Sequence, residues 1–139
     1  MPIVSITTAK LLIRIAFLVG AFTDGLAIIP MLSRRVGVAL FGGDASQDSA
    51  PYRYAMGIGA SLMAGWTLLL MWGAFNPIER RGLLLLTVFP VIAGIVLATI
   101  VAVNNRVVLR SRLVPVWVHL GFVSLFYIVA YVLSIPFAP

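Results

Sequence analysis

The chain contains no cysteine, a single histidine and only four acidic residues among its 139 positions. Without cysteine there is no disulfide, thiolate metal site, CxxC redox pair or thiol nucleophile. With His119 alone, a histidine-pair metal site and two-histidine haem ligation are excluded as well. Charge is scarce: 10% of residues are charged, 62% are apolar and the mean hydropathy is +1.11. A soluble domain is about 45–50% apolar and about 25% charged, and a chain of this size cannot hide the excess in a core. The composition therefore excludes an ordinary soluble enzyme, a disordered tail and a disulfide scaffold. The net charge of +6 does not signal nucleic acid, because the ten basic residues sit scattered at the ends of apolar runs and form no stripe. An integral, multi-pass membrane protein is the expectation, in the cytoplasmic membrane if the source is bacterial.

Four apolar runs, each close to the ~20 residues that cross a hydrocarbon core, predict transmembrane helices at about 10–32, 54–75, 82–104 and 113–135. The expected fold is thus an all-α four-helix bundle forming one membrane domain over 1–139. Unalternated runs such as Leu83-Leu84-Leu85-Leu86 argue against a β-barrel. The first run does not read as a cleaved signal peptide, since Asp24 interrupts it and no A-x-A site follows. Residues 32–41 place Leu32, Val36, Ala39 and Leu40 on one helical face opposite Arg34, the pattern of a segment lying along an interface. A Gly-Gly-Asp stretch at 42–44 and a tight turn at Asn76-Pro77-Ile78-Glu79-Arg80-Arg81 complete the connections with residues 104–112. Lys10, Arg14, Arg80 and Arg81 share one side; Arg34, Arg35, Arg53, Arg106, Arg110 and Arg112 share the other. Six against four favours the first and third connections in the cytoplasm, with both termini outside.

Helices in lipid associate through small residues that let backbones approach. Gly57, Ser61 and Gly65 form one such ridge on helix two, and Gly94, Ala98 and Ala102 another on helix three. The short turn between them predicts that the two ridges face each other. Ala16 and Gly20 lead to Asp24 on helix one, and Trp72 and Trp117 read as interfacial anchors. Arg106 and Arg110 are spaced to hold anionic head groups, although topology-setting charge explains them as well.

Asp24 is the most informative residue, because an acid costs about 2.5–3.5 kcal/mol at a helix centre on insertion scales. It lies roughly 10–13 Å below the boundary near residues 31–33, and His119 about 9 Å below the boundary near Leu113, at 1.5 Å per residue. His119 shares a helical face with Phe126, Tyr127, Ala130 and Ser134. Arg53, Tyr54, Asn104 and Asn105 complete a polar end on the same side. Asp24 is expected to be buried and to contact Arg53, Tyr54 or His119, since an unpaired carboxylate in hydrocarbon is too costly to persist. Such an acid either fixes helix order or serves as a proton or ligand site. GxSxG, HExxH and Gly-rich phosphate loops are absent, Gly57-x-Gly59 is too short for a dinucleotide fingerprint, and no metal site is expected.

The stretches Tyr52-Arg53-Tyr54-Ala55-Met56-Gly57 and Asn76-Pro77-Ile78-Glu79-Arg80-Arg81-Gly82-Leu83-Leu84-Leu85, set in a four-span layout, resemble DoxX-like small bacterial membrane proteins. The resemblance implies the four-helix architecture; most of that group is uncharacterised, and some members accompany quinone-linked redox proteins. Three functions follow as expectations. The first is a non-catalytic protein that binds a lipophilic ligand, lipid or quinone-like, or serves as an accessory subunit of a membrane assembly. The second is a small proton-coupled transporter using Asp24. The third is a membrane enzyme acting on a lipophilic substrate through Asp24 and His119 as acid and base. The sequence names no cofactor. Expected partners are membrane lipids and a membrane-protein partner or a second copy of the chain, with no nucleic acid.

Overall fold

The computed structural model describes residues 4–41 and 49–137. Residues 42–48 of the first connection, with the Gly-Gly-Asp stretch, lie outside the described residues. The described chain is all-helical and contains four helices long and apolar enough to cross a membrane. Helix α1 runs Ile6–Leu32, α2 Arg34–Phe41, α3 Ala50–Phe75, α4 Gly82–Asn104 and α5 Arg110–Ser134, followed by a 3-10 turn at Ile135–Phe137.

Serine caps set where α1 and α3 begin. The Ser5 hydroxyl accepts from the Thr8 amide at 3.2 Å, and Ser49 accepts from the Tyr52 amide at 3.3 Å, each satisfying a donor the first turn leaves open. Pro51 follows in the first turn of α3, where its missing N–H costs nothing. Arginines serve several carbonyls toward the opposite ends: Arg14 Nε donates to Ala74 O at 3.1 Å, and Arg112 Nη1 to Ala39 O at 3.1 Å. Such late carbonyls lack partners within their own helix.

α1 and α3 pack antiparallel from the Arg14–Ala74 end to the Met31–Gly59 end. Four glycines show how close they come: a Cβ on Gly59 would lie 3.9 Å from Met31, and one on Gly25 3.8 Å from Thr67. A Cβ on Gly20 would lie 3.0 Å from Leu70, and one on Gly73 2.8 Å from Phe17. α5 packs on the Gly20 side of α1 through Tyr127. α4 joins α5 through Trp117 Nε1, which donates to Thr99 Oγ1 at 2.8 Å. It joins α3 through Trp66 Nε1, which donates to Thr87 Oγ1 at 3.3 Å. Trp117 is therefore a link between α4 and α5.

The core is concentrated toward the 76–81 turn, around Ile13, Phe17, Leu70, Leu84, Val88 and Tyr127. α4 changes character halfway. Pro90 lacks an N–H, and the backbone around it takes π-helical spacing over Thr87–Ile92. Beyond it, Ala93–Asn104 has no buried residue. The small-residue ridges expected to join α3 and α4 are not brought together: a Cβ on Gly57, Gly65 or Gly94 would meet nothing within 4 Å, and Ser61 and Ala98 are exposed. The reason is helical phase. Gly57 and Gly59 lie about 200° apart on α3, and the close partner, α1, takes the Gly59 and Gly73 face.

Candidate functional site

Gly20 and Asp24 are one turn apart on α1 and share a face. Against Gly20 stands the Tyr127 hydroxyl of α5, placed so that any Cβ at position 20 would collide with it. Tyr127 is the largest fully buried side chain of the described residues, at 0% exposure. Asp24 is half-buried. Leu70 closes the α3 side of Gly20.

Two oxygens of this site stand out. Asp24 Oδ2 and Tyr127 Oη are buried without a hydrogen-bond partner. A buried polar atom left unsatisfied costs about 1–3 kcal/mol, and native interiors rarely tolerate it. The short hydroxyls of the bundle avoid this cost locally. Thr23 donates to Val19 O at 2.8 Å, Thr67 to Met63 O at 2.9 Å and Thr87 to Leu83 O at 2.8 Å, each one turn back on its own helix. A tyrosine ring carries its hydroxyl too far from its own backbone for that, so its partner must come from elsewhere. Together the two oxygens offer one acceptor and one hydroxyl able to donate. That pair matches a neutral polar group which both gives and takes a hydrogen bond.

The other residues expected at this site lie apart from it. The Gly20–Tyr127 contact sets the antiparallel register of α1 and α5, putting Val123, not His119, level with Asp24. His119 lies about 6 Å further along at 1.5 Å per residue, on an exposed face, and no hydrogen bond or ion pair joins it to Asp24. Its helical phase fails too, because eight residues from 119 to 127 leave the two side chains about 80° apart. Arg53 and Tyr54 are exposed, Tyr54 by 73%, and the α1–α3 register sets them opposite chain beyond the end of α1. Asn104 is exposed at the last residue of α4. Reach from the rim is the step that failed: the helices are long enough to hold these groups several turns from Asp24.

Tyr127 is the residue of this candidate site that the sequence reading did not select, though its face of α5 was identified. Its signal was present as a long polar side chain opposite a glycine. No family model, characterised protein or solved structure matches this chain, and nothing in these comparisons bears on the DoxX-like resemblance.

Proposed function

We propose that the chain is an integral membrane protein crossing the bilayer four times, and that it binds a lipophilic ligand without transforming it. The polar head of the ligand sits at Asp24 and Tyr127. Its tail lies toward the half of the bundle where α4 leaves the core. The observation that carries this reading is the pair of buried, unpartnered oxygens, one on the core residue Tyr127 and one on half-buried Asp24. A hydroxyl head, as on a quinol-type ring or a lipid alcohol, donates to the Asp24 carboxylate and accepts from the Tyr127 O–H.

Membrane integration is tested by alkaline carbonate extraction, in which the protein stays with the membrane fraction. Ligand binding is tested on detergent-purified protein by titrating a short-tailed quinol and a long-chain alcohol while following thermal stability. Asp24→Asn and Tyr127→Phe are each expected to weaken binding about tenfold, equivalent to ~1.4 kcal/mol. Equal binding by wild type and both variants overturns the site. Proton-coupled transport through Asp24 gives a different pattern: pH-dependent uptake into liposomes, abolished by Asp24→Asn and retained in Tyr127→Phe.

A further inference from the structure

A second polar site lies at the other end of α1, well away from Asp24. Lys10 and Arg14, one turn apart on α1, line one wall of a cavity of about 170 Å³; Asn76 and Glu79 from the turn after α3 line the other. Arg14 is held in place by its Nε hydrogen bond to Ala74 O, which leaves the terminal amino groups of the guanidinium as further donors. Asn76 Nδ2 donates to Glu79 Oε2 at 3.4 Å, orienting the carboxylate. Charges of opposite sign thus face one cavity, yet among the described residues no ion pair joins Lys10 or Arg14 to Glu79. Phe75, 75% exposed, stands at its border.

We propose that this cavity takes the phosphoethanolamine head group of a phospholipid. The volume of about 170 Å³ leaves room for a polar head group and not for acyl chains. Phosphate oxygens accept from Lys10 and Arg14, and the primary ammonium donates to Glu79. Choline carries no N–H for Glu79, and a glycerol head group carries no cation. Phe75 offers the adjoining acyl chain an apolar surface. The site rests on the membrane reading, because the ends of the apolar helices α1 and α3 then stand at head-group depth. It is independent of Asp24.

The test is native mass spectrometry of the full chain from mixed micelles holding equal phosphatidylethanolamine, phosphatidylcholine and phosphatidylglycerol with identical acyl chains. Wild type is expected to retain phosphatidylethanolamine about fivefold over both others, the scale an exposed charge pair supports. Glu79→Gln removes the preference over phosphatidylcholine and lets phosphatidylglycerol gain, while Lys10→Gln lowers retention of all three. Equal retention by wild type, or a preference that Glu79→Gln leaves intact, overturns the proposal. Equal protection by water-soluble phosphoethanolamine overturns its assignment to a lipid. A chain that stays with the membrane on carbonate extraction but shows no head-group preference defeats this proposal alone; one that carbonate releases defeats the membrane reading too.

Discussion

Tyr127 and Gly20 are two halves of one contact, and each makes an expectation about the other. Adding a methyl at position 20 drives it into the Tyr127 hydroxyl, so Gly20→Ala should lower stability in detergent by about 1–3 kcal/mol, the usual range for an overpacked core. Removing the hydroxyl in the same chain relieves the clash, so Gly20→Ala with Tyr127→Phe should recover part of the loss. A double mutant whose melting temperature shows simple addition of the two single effects would place the collision elsewhere. Tyr127→Phe by itself breaks no hydrogen bond, because the hydroxyl has no partner. It is expected to melt at or above wild type while losing ligand. Asp24→Leu follows the same logic, since Oδ2 gives up no bond and replacing a buried polar atom by a similar apolar volume is often neutral or stabilising. Loss of binding with stability kept is the outcome that separates a ligand site from a structural one.

At the scale of an element, α4 is where local backbone chemistry reshapes packing. Pro90 removes one amide from the ladder, and the extra residue of the π segment turns Ala93–Asn104 relative to Gly82–Leu86. Pro90→Ala restores the amide and favours ordinary α spacing, which rotates the following turns by up to ~100° and carries Thr99 away from Trp117. Tryptophan emission should shift accordingly. Thr99→Val removes that interhelical bond together with the hydroxyl's own bond to Val96 O. Losing the interhelical bond should cost about 0.6–1.7 kcal/mol with the helix unchanged; an emission shift equal to that of Pro90→Ala would show that the lost hydroxyl, not the rotation, is responsible. The four helices were legible because run length and charge report them directly. The start at Gly82 was read correctly. The starts of α1 and α3 were read four residues late, because Ser5 and Ser49 cap at polar side chains that a search for apolar residues passes over. That of α5 was read three residues late, because Arg110, Ser111 and Arg112 are polar. The choice of packing face was not legible. α3 carries glycines at 57, 59, 65 and 73, and only the position of α1 decides that 59 and 73 are used. Asp24 was visible as an isolated acid, whereas Tyr127 needed a register between helices distant in sequence.

Across the whole molecule, the antiparallel helices group the connections into two ends, and the lack of native cysteine makes that grouping directly measurable. Thr7 and Glu79 are exposed at the end that holds the start of α1 and the α3–α4 turn; Asn105 and Ser111 are exposed at the opposite end. Single cysteines at these four positions report on one side each, free of background thiols. Basic residues divide six to four in favour of the Asn105 end, a bias from which this end is expected in the cytoplasm. Part of that charge also has local work, since Arg112 holds Ala39 O, while on the other side Arg14 holds Ala74 O and Arg80 stacks on Trp72 at 3.4 Å and donates to its carbonyl. Arginines fixed to helix ends on both sides explain why the bias is small without implying that the fold lacks a preferred direction. In intact cells, a membrane-impermeant maleimide should therefore label Thr7→Cys and Glu79→Cys and leave Asn105→Cys and Ser111→Cys unmodified until the membrane is permeabilised. The reverse pattern keeps the four spans and overturns the charge-based orientation. Labelling that splits either pair is incompatible with four crossings, because the two members of a pair are separated by an even number of helices.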